Sequence, residues 1–348
     1  MNILVTGANG FVGSQLVDKL LKEGHKVFAL VRSLDKEIHL DKKNLTYLAG
    51  DLLKPSELPQ LPEIEKAYFL VHGLKGNSHS FEYEEASMAV NFIDWVKIYK
   101  PDIIYLGGIA PRDVDLSPHL RARVLTGKIL GISGLNVIEL RASIILGAGS
   151  LSFEMIKAMS ERLPFRPDLH LLDRSCQPLS LTDLIQYLVV SLDLGIRGHE
   201  IIEIGGEEIS TYGELMDLYS NLSGLKRKKI KLPEVEVKVL MKALDYVVPE
   251  YSQVGKKLTE SLEHPTIVTN AKAVEIFPAI KPLKLKQAMT KAKENSHSHY
   301  PTLWNKDFLK TLLSDKLLTQ SGLISPDLLR HLEKVGKIKD IFTRKSHD

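Results

Sequence analysis

The apolar run Asn2 to Thr6 breaks directly into Thr6-Gly7-Ala8-Asn9-Gly10-Phe11-Val12-Gly13, and an amphipathic helical pattern from Val12 to Glu23 follows. Few folds accommodate that order. Gly7 permits a tight turn out of a strand, Gly10 lets backbone amides approach a bound group, and Gly13 lets the helix pack close to the strand. A helix that opens in such a turn points unpaired N–H groups and the positive end of its dipole at the turn, which suits a pyrophosphate. Three glycines alone say little, and their weight comes from the strand before and the helix after. The competing reading is a glycine turn that is merely structural. On the first reading, Thr6, Gly7, Asn9, Gly10, Phe11, Val12 and Gly13 are candidate dinucleotide contacts.

Further apolar, β-branched runs at Val27 to Val31, Leu45 to Leu48, Ala67 to Val71, Ile103 to Leu106 and Val137 to Leu140 predict strands. Helical patterns at Tyr83 to Tyr99 and Leu120 to Ile132 lie between them. This alternation predicts an α/β fold, a Rossmann-type doubly wound parallel sheet, with a smaller α/β lobe and a helical C-terminal appendix. The expected boundaries are 1–146 for the dinucleotide-binding domain with 178–206 returning to it, 147–290 for the smaller substrate lobe, and 291–348 for the appendix. Beyond Ala142 the pattern loosens through Gly147, Gly149 and a Pro-bearing stretch from Leu163 to Pro178. It resumes as a helix at Asp183 to Leu194, a strand ending at Gly205-Gly206, and a helix at Tyr212 to Leu222. A Lys-rich turn at Lys226 to Lys231 and a helix after Pro233 follow. From about Leu303, two apolar stripes read as helices that pack on the body or on a sister subunit in preference to the alternative, a membrane surface, because their polar faces mix both signs of charge.

Composition narrows the partners. A net charge of +3 over 348 residues, with no long basic block, argues against a nucleic-acid partner. The single Cys176 has no ligand-spaced companion, so neither a structural zinc nor any other metal is expected, and a reducing, cytoplasmic setting is. No secretion signal is read at Met1. No apolar run approaches the roughly 20 residues of a membrane span. A homo-oligomer stays open.

The two-residue gap between Gly7 and Gly10 resembles the short-chain dehydrogenase/reductase superfamily in its extended or atypical branch. The segments Tyr68 to Leu74, Tyr105 to Pro111, Leu116 to Arg123, Glu139 to Ile156 and Glu203 to Glu208 resemble its NmrA-like NAD(P)H-binding members. The likeness runs from about Met1 to Thr290. It implies that Asp51 and Leu52, after the third strand, meet the adenine ring, while a loop-capping carboxylate is the other reading of Asp51. At the end of the second strand, Arg32 suits the 2′-phosphate of NADP(H), with Ser33 as a second donor. Asp35 leaves NAD(H) open, and a plain surface cation is the alternative for Arg32.

Such families use a Ser, a Tyr and a Lys four residues after the Tyr. This chain departs from that pattern, with His119 and Arg123 at the Tyr and Lys positions and Gly107-Gly108 at the Ser position. His119 and Arg123 lie one turn apart on one helix face. An imidazole titrating near ~6.5 could donate the proton, and a permanently charged Arg123 could anchor a ribose or an anion. The alternative makes His119 a first-turn helix residue. Gly107 and Gly108 would let the nicotinamide lie close to the backbone, and Val71 and His72 follow the fourth strand toward the same cleft. Arg141, with Glu139, is read as a buried arginine tying the lobes, and Gln177 and Asp183 as structural. The expectation is an NADP(H)-dependent oxidoreductase acting on a small substrate. The alternative is a non-catalytic NADP(H)-binding redox sensor or accessory subunit, and a sugar-nucleotide epimerase is disfavoured by the missing Tyr and Lys.

Overall fold

The computed structural model describes residues 1–34, 42–71, 81–111, 116–231, 246–247, 264–297 and 300. His72, the helix expected after Pro233 and the C-terminal helices expected from Leu303 fall outside those residues.

Seven parallel strands form the central sheet. They are β1 (Asn2–Thr6), β2 (Lys26–Val31), β3 (Leu45–Ala49), β4 (Lys66–Phe69), β5 (Asp102–Gly108), β6 (Val137–Ala142) and β11 (His199–Ile204). Their spatial order is β11-β6-β5-β4-β1-β2-β3. The order reverses between β1 and β4, and in open α/β sheets the crevice for a ligand opens at that point, outside the carboxyl ends of the strands.

Helices cover both faces of the sheet, and this explains why the strands read as continuous apolar runs instead of alternating patterns. On one face Ile3, Val5, Val27, Ala29, Ile104, Leu140 and Ile202 pack with Leu16 and Leu20 of α1 (Phe11–Lys22) and Leu184 and Leu188 of α5 (Leu181–Val190). On the other, Leu4, Phe28, Phe69, Ile103 and Tyr105 meet Met88, Phe92 and Val96 of α2 (Phe81–Val96) and Leu130 of α3 (Pro118–Gly131). Each fully buried Leu, Ile or Phe contributes about 1.5–3 kcal/mol, so both faces together fix the register.

The chain divides into two compact units. The first comprises residues 1–145, 177–208 and 266–285 and holds the whole sheet. Residues 266–285, assigned to the smaller lobe from the sequence, pack with this unit: Ala273 of α7 (Lys272–Ile276) and Phe277 enter the core beside Tyr187. Gln177 braces the same region, its Nε2 donating to Gly206 O at 2.7 Å and its Oε1 accepting from Val268 N at 3.0 Å. Asp183 Oδ2 accepts from Ser180 Oγ and from Leu283 N.

The second unit comprises 146–176, 209–265 and 286–348. In it α4 (Leu151–Arg162) packs on α6 (Tyr212–Leu222), β8 (Phe165–Asp168) runs parallel to β13 (Lys228–Lys231), and β9 (Ser175–Cys176) pairs with β12 (Ser210–Thr211). Two of these elements correct the sequence reading. Helix α4 was not foreseen, because its inner face buries Glu154, Lys157 and Arg162 and so hides the apolar period. Those charges find partners: Glu154 accepts from Tyr300 Oη at 3.0 Å, and Lys157 donates to Ser296 at 2.7 Å. The Lys-rich turn is strand β13, in which only Ile230 is buried while its lysines face outward. Outward lysines are a common device on exposed strand edges.

Candidate functional site

The glycine turn leaves β1 with Gly7 at φ +68°, a conformation L side chains rarely adopt. A Cβ at Gly7 would meet Leu70 O at 2.9 Å, and one at Gly13 would strike the Gly7 carbonyl. Gly10 N donates to Gly7 O at 2.9 Å, closing the turn, and a Cβ at Gly10 would lie 3.0 Å from the same oxygen. Gly10 is also the N-cap of α1, and it gives that helix no side-chain hydrogen bond. Helices α3, α4, α5 and α6 differ: Ser117, Ser150, Ser180 and Thr211 each accept a first-turn amide. The backbone N–H groups of Phe11, Val12 and Gly13 therefore lack the satisfaction that a hydroxyl cap brings. No acidic side chain stands in the first turn of α1.

Parallel register gathers the other candidates at the same edge of the sheet. Thr6 pairs with Leu30 and with Phe69, and Val31 with Ala49. Arg32 and Ser33, beyond β2, are exposed, and Arg32 makes no ion pair among the described residues. Asp51, beyond β3, is half-buried and its Oδ1 accepts from Leu53 N at 2.9 Å, so one oxygen caps its own loop. Val71, beyond β4, is half-buried as well. Two candidates turn inward. Leu52 is in the core, its carbonyl accepting from Asn91 Nδ2. The Thr6 hydroxyl donates to Tyr68 O at 3.0 Å and accepts from Leu70 N at 3.2 Å, which binds β1 to β4 and occupies the side chain.

Gly107 and Gly108 end β5. A Cβ on Gly107 would crowd Tyr105 and Glu139, and one on Gly108 would touch Leu120 of α3 at 3.6 Å. Ser117 caps α3, placing His119 in the first turn with its ring 6.1 Å from that of Phe81. Arg123, one turn further, is only 8% exposed. Its Nη2 donates to Leu106 O, its guanidinium lies 5.2 Å from the Tyr105 ring centroid, and Nη1 has no hydrogen-bond partner among the described residues. The Tyr105 hydroxyl in turn donates to Arg123 O at 2.9 Å. Burial drives the Tyr105 phenol well above its usual range, with the Arg123 charge opposing, so Tyr105 stays protonated and structural.

Arg141 is half-buried on β6. Its Nε donates to Glu139 Oε1 at 2.6 Å, two residues back on the same strand, while Glu139 Oε2 lies 2.9 Å from His199 Nε2. Helix α3 comes down on this cluster through glycines: a Cβ at Gly127 would overlap the Glu139 carboxylate, and one at Gly131 the His199 ring. Sequence reasoning missed this arrangement, although two glycines four residues apart inside a helical pattern are a signal of close approach. Among the described residues no group of His, Cys, Asp or Glu is arranged to hold a metal ion, and no helix is long and apolar enough to cross a membrane.

Residues 3–107 match the model of the NAD dependent epimerase/dehydratase family. The photosystem II assembly factor Ycf39 of Cyanophora paradoxa is 23% identical over 235 residues, 67% of this chain and 72% of that protein. Ycf39 of Synechocystis sp. is 39% identical over 66 residues, 19% of this chain and 20% of that protein. The chain thus spans about a fifth of the length of the first curated relatives it matches. Among solved structures, UDP-glucuronic acid 4-epimerase of Bacillus cereus, in complex with UDP-glucuronic acid and NAD, superposes with a TM-score of 0.65 at 18% identity, covering 85% of this chain and 98% of that one. The dTDP-glucose 4,6-dehydratase of Bacillus anthracis, in complex with NAD, gives 0.62 at 17%, over 85% and 96%. At such identities the shared property is the fold. The segment that builds the glycine turn and the first five strands is thus similar to the NAD dependent epimerase/dehydratase family, and the chain shares the fold of these solved structures.

Proposed function

We propose that this protein binds a nicotinamide dinucleotide, NADP(H) ahead of NAD(H), and works as an oxidoreductase on a small substrate. The cradle at residues 7–13 carries the reading. Side chains are sterically barred from Gly7 and Gly13, and α1 opens without a hydroxyl cap. A pyrophosphate accepts hydrogen bonds from such amides and sits at the favourable end of the helix dipole. The preference for NADP(H) rests on Arg32, a cation with no ion pair among the described residues, beside Ser33 at the end of β2. The family's model and the NAD named with its solved structural neighbours favour the same class of cofactor.

When bound, a nicotinamide supplies or accepts the hydride. The chain's own groups do the rest. Gly107 and Gly108 keep the end of β5 free of side chains where a flat ring approaches. His119, at the start of α3, passes the proton to or from substrate. Arg123, one helical turn further, holds positive charge there, and its buried Nη1 has no hydrogen-bond partner among the described residues.

Calorimetric titration of the intact protein with NADPH, NADP, NADH and NAD tests the binding. The expected order puts the phosphorylated pair first, with the preference reduced in Arg32→Ala. Absence of heat with all four at millimolar levels overturns the reading. Oxidation of NADPH is then followed across aldehydes, ketones, quinones and enones, with loss of turnover expected in His119→Ala.

One observation favours a second reading, a nucleotide-binding sensor or accessory subunit without turnover. Arg123 Nη2 is committed to Leu106 O and the guanidinium lies by the Tyr105 ring, and glycines stand where a hydroxyl would act. Binding with no turnover on any member of that panel would establish it.

A further inference from the structure

We propose that the cleft along β11 is a second small-molecule site, and that it takes an α-amino acid as a zwitterion, carboxylate on Arg141 and ammonium on Glu203. The cleft, open to solvent, holds about 520 Å3, and its polar walls include Arg141, His199, Glu203, Asn270, Lys272 and Glu275. That volume lies within the range of about 300–1,000 Å3 common for small-ligand sites. All six residues belong to the sheet-bearing unit. The glycine turn follows β1, three strands from β6 and four from β11, roughly 14–19 Å at about 4.8 Å per strand, so the cleft is separate from the pyrophosphate turn, although Arg141 is the register partner of Gly107.

Arg141 and Glu203 are register partners on neighbouring parallel strands, so they project from the same face side by side. Opposite charges so placed ordinarily join each other. Here they make no ion pair with each other, because each is held from elsewhere. Arg141 Nε is fixed by Glu139, a carboxylate only 1% exposed. Glu203, 8% exposed, receives three hydrogen bonds on Oε2, from Thr269 N at 2.7 Å, Thr269 Oγ1 at 2.8 Å and Asn270 Nδ2 at 3.3 Å. The terminal nitrogens of Arg141 and Oε1 of Glu203 are left without hydrogen-bond partners among the described residues. A guanidinium edge and a carboxylate oxygen thus stand adjacent, the first oriented by the buried Glu139 and the second by the exposed Thr269 and Asn270.

Charge decides what fits. Glu139 neutralises Arg141 and Glu200 neutralises Lys272. Glu203 and Glu275, on the cleft wall, make no ion pair among the described residues. A simple anion on Arg141 would meet that excess negative charge, and a simple amine would leave the guanidinium edge unused. A molecule carrying both charges on neighbouring atoms satisfies each. Ile201 and Ala271 offer apolar surface for its side chain.

Alanine, propionate and ethylamine share a skeleton and separate the two charges. Calorimetric titration of the intact protein should give alanine binding at least about tenfold tighter than propionate or ethylamine. Glu203→Gln and Glu275→Gln should each weaken alanine while leaving propionate unchanged, Glu203→Gln by about tenfold. Arg141→Lys, which preserves the charge opposite Glu139 but removes the planar edge, should weaken both carboxylates. Glu275 is exposed on α7, so its variant folds even if those at the buried positions do not. The proposal is overturned if alanine gives no heat at millimolar levels, if propionate matches it, or if the folded Glu variants bind alanine as the parent does.

Discussion

Glycine serves three steric purposes within seven residues, and each predicts a different failure. Gly13 meets backbone, the Gly7 carbonyl, which has no rotamer with which to yield. Gly13→Ala should therefore lift α1 from its turn, lower stability by about 1–3 kcal/mol and abolish dinucleotide binding. Gly24 is the control, because its φ of +83° carries the same conformational demand but no atom lies within 4 Å of an added Cβ. Gly24→Ala should cost about 1–2 kcal/mol of backbone strain and leave nucleotide affinity intact. Equal affinity losses in the two variants, measured by calorimetry beside thermal melts, would make the cradle a mere stability element. Thr6 illustrates the opposite case, a residue nominated for the ligand that the structure commits to the fold. Both of its hydrogen bonds go to β4, so Thr6→Val should cost about 1–3 kcal/mol without altering the preference among nucleotides.

At the scale of elements, α3 shows how a helix can be positioned by what it lacks. Gly127 and Gly131 admit the Glu139 carboxylate and the His199 ring beneath the helix, and the same helix carries His119 and Arg123. Alanine is about 1 kcal/mol better than glycine inside a helix, so an unopposed α3 would gain stability from Gly127→Ala. Here a net loss of about 1–3 kcal/mol is expected. Adding Glu139→Ala should return part of it, giving a coupling energy of about 0.5–3 kcal/mol in a denaturant-based double-mutant cycle. Additive effects would mean that the carboxylate and the helix do not press on each other. The central strands and α1, α2 and α3 were legible in the sequence because their apolar periods are uninterrupted and their ends carry turn and cap residues. Helix α4 was not, since Glu154, Lys157 and Arg162 face inward and reverse the usual polarity of an amphipathic helix. Strand β13 was read as a turn because one buried Ile230 among lysines leaves no alternation to detect.

For the whole molecule, the glycine turn could be read locally, whereas the β11 cleft could not, since its walls come from β6, β11 and α7, far apart in sequence. The Glu139 and Arg141 alternation was visible, but partners on another strand and across a later segment do not announce themselves. Burial has a second consequence spread through both units. Tyr68 and Tyr105 in the first unit and Cys176 in the second are fully enclosed. Burial holds both phenols well above their ordinary range, and pushes the thiol up to about 12. In the unfolded chain these groups ionise near 10.0 for the phenols and 9.0 for the thiol. Above those values the unfolded state releases protons that the folded state keeps, so stability falls as pH rises. Their contribution is complete below pH 9 and is lost progressively through the folded value of about 12 for Cys176 and beyond it for the phenols. Thermal melts should show a midpoint insensitive to these groups below pH 9 and a steady decline above it. Cys176→Ala and Tyr68→Phe should each make that decline shallower. Tyrosinate absorbance from the buried rings should appear together with the loss of helical circular dichroism; tyrosinate rising to the full complement while the fold persists would mean that water reaches the interior, and the enclosure derived for both units would not hold.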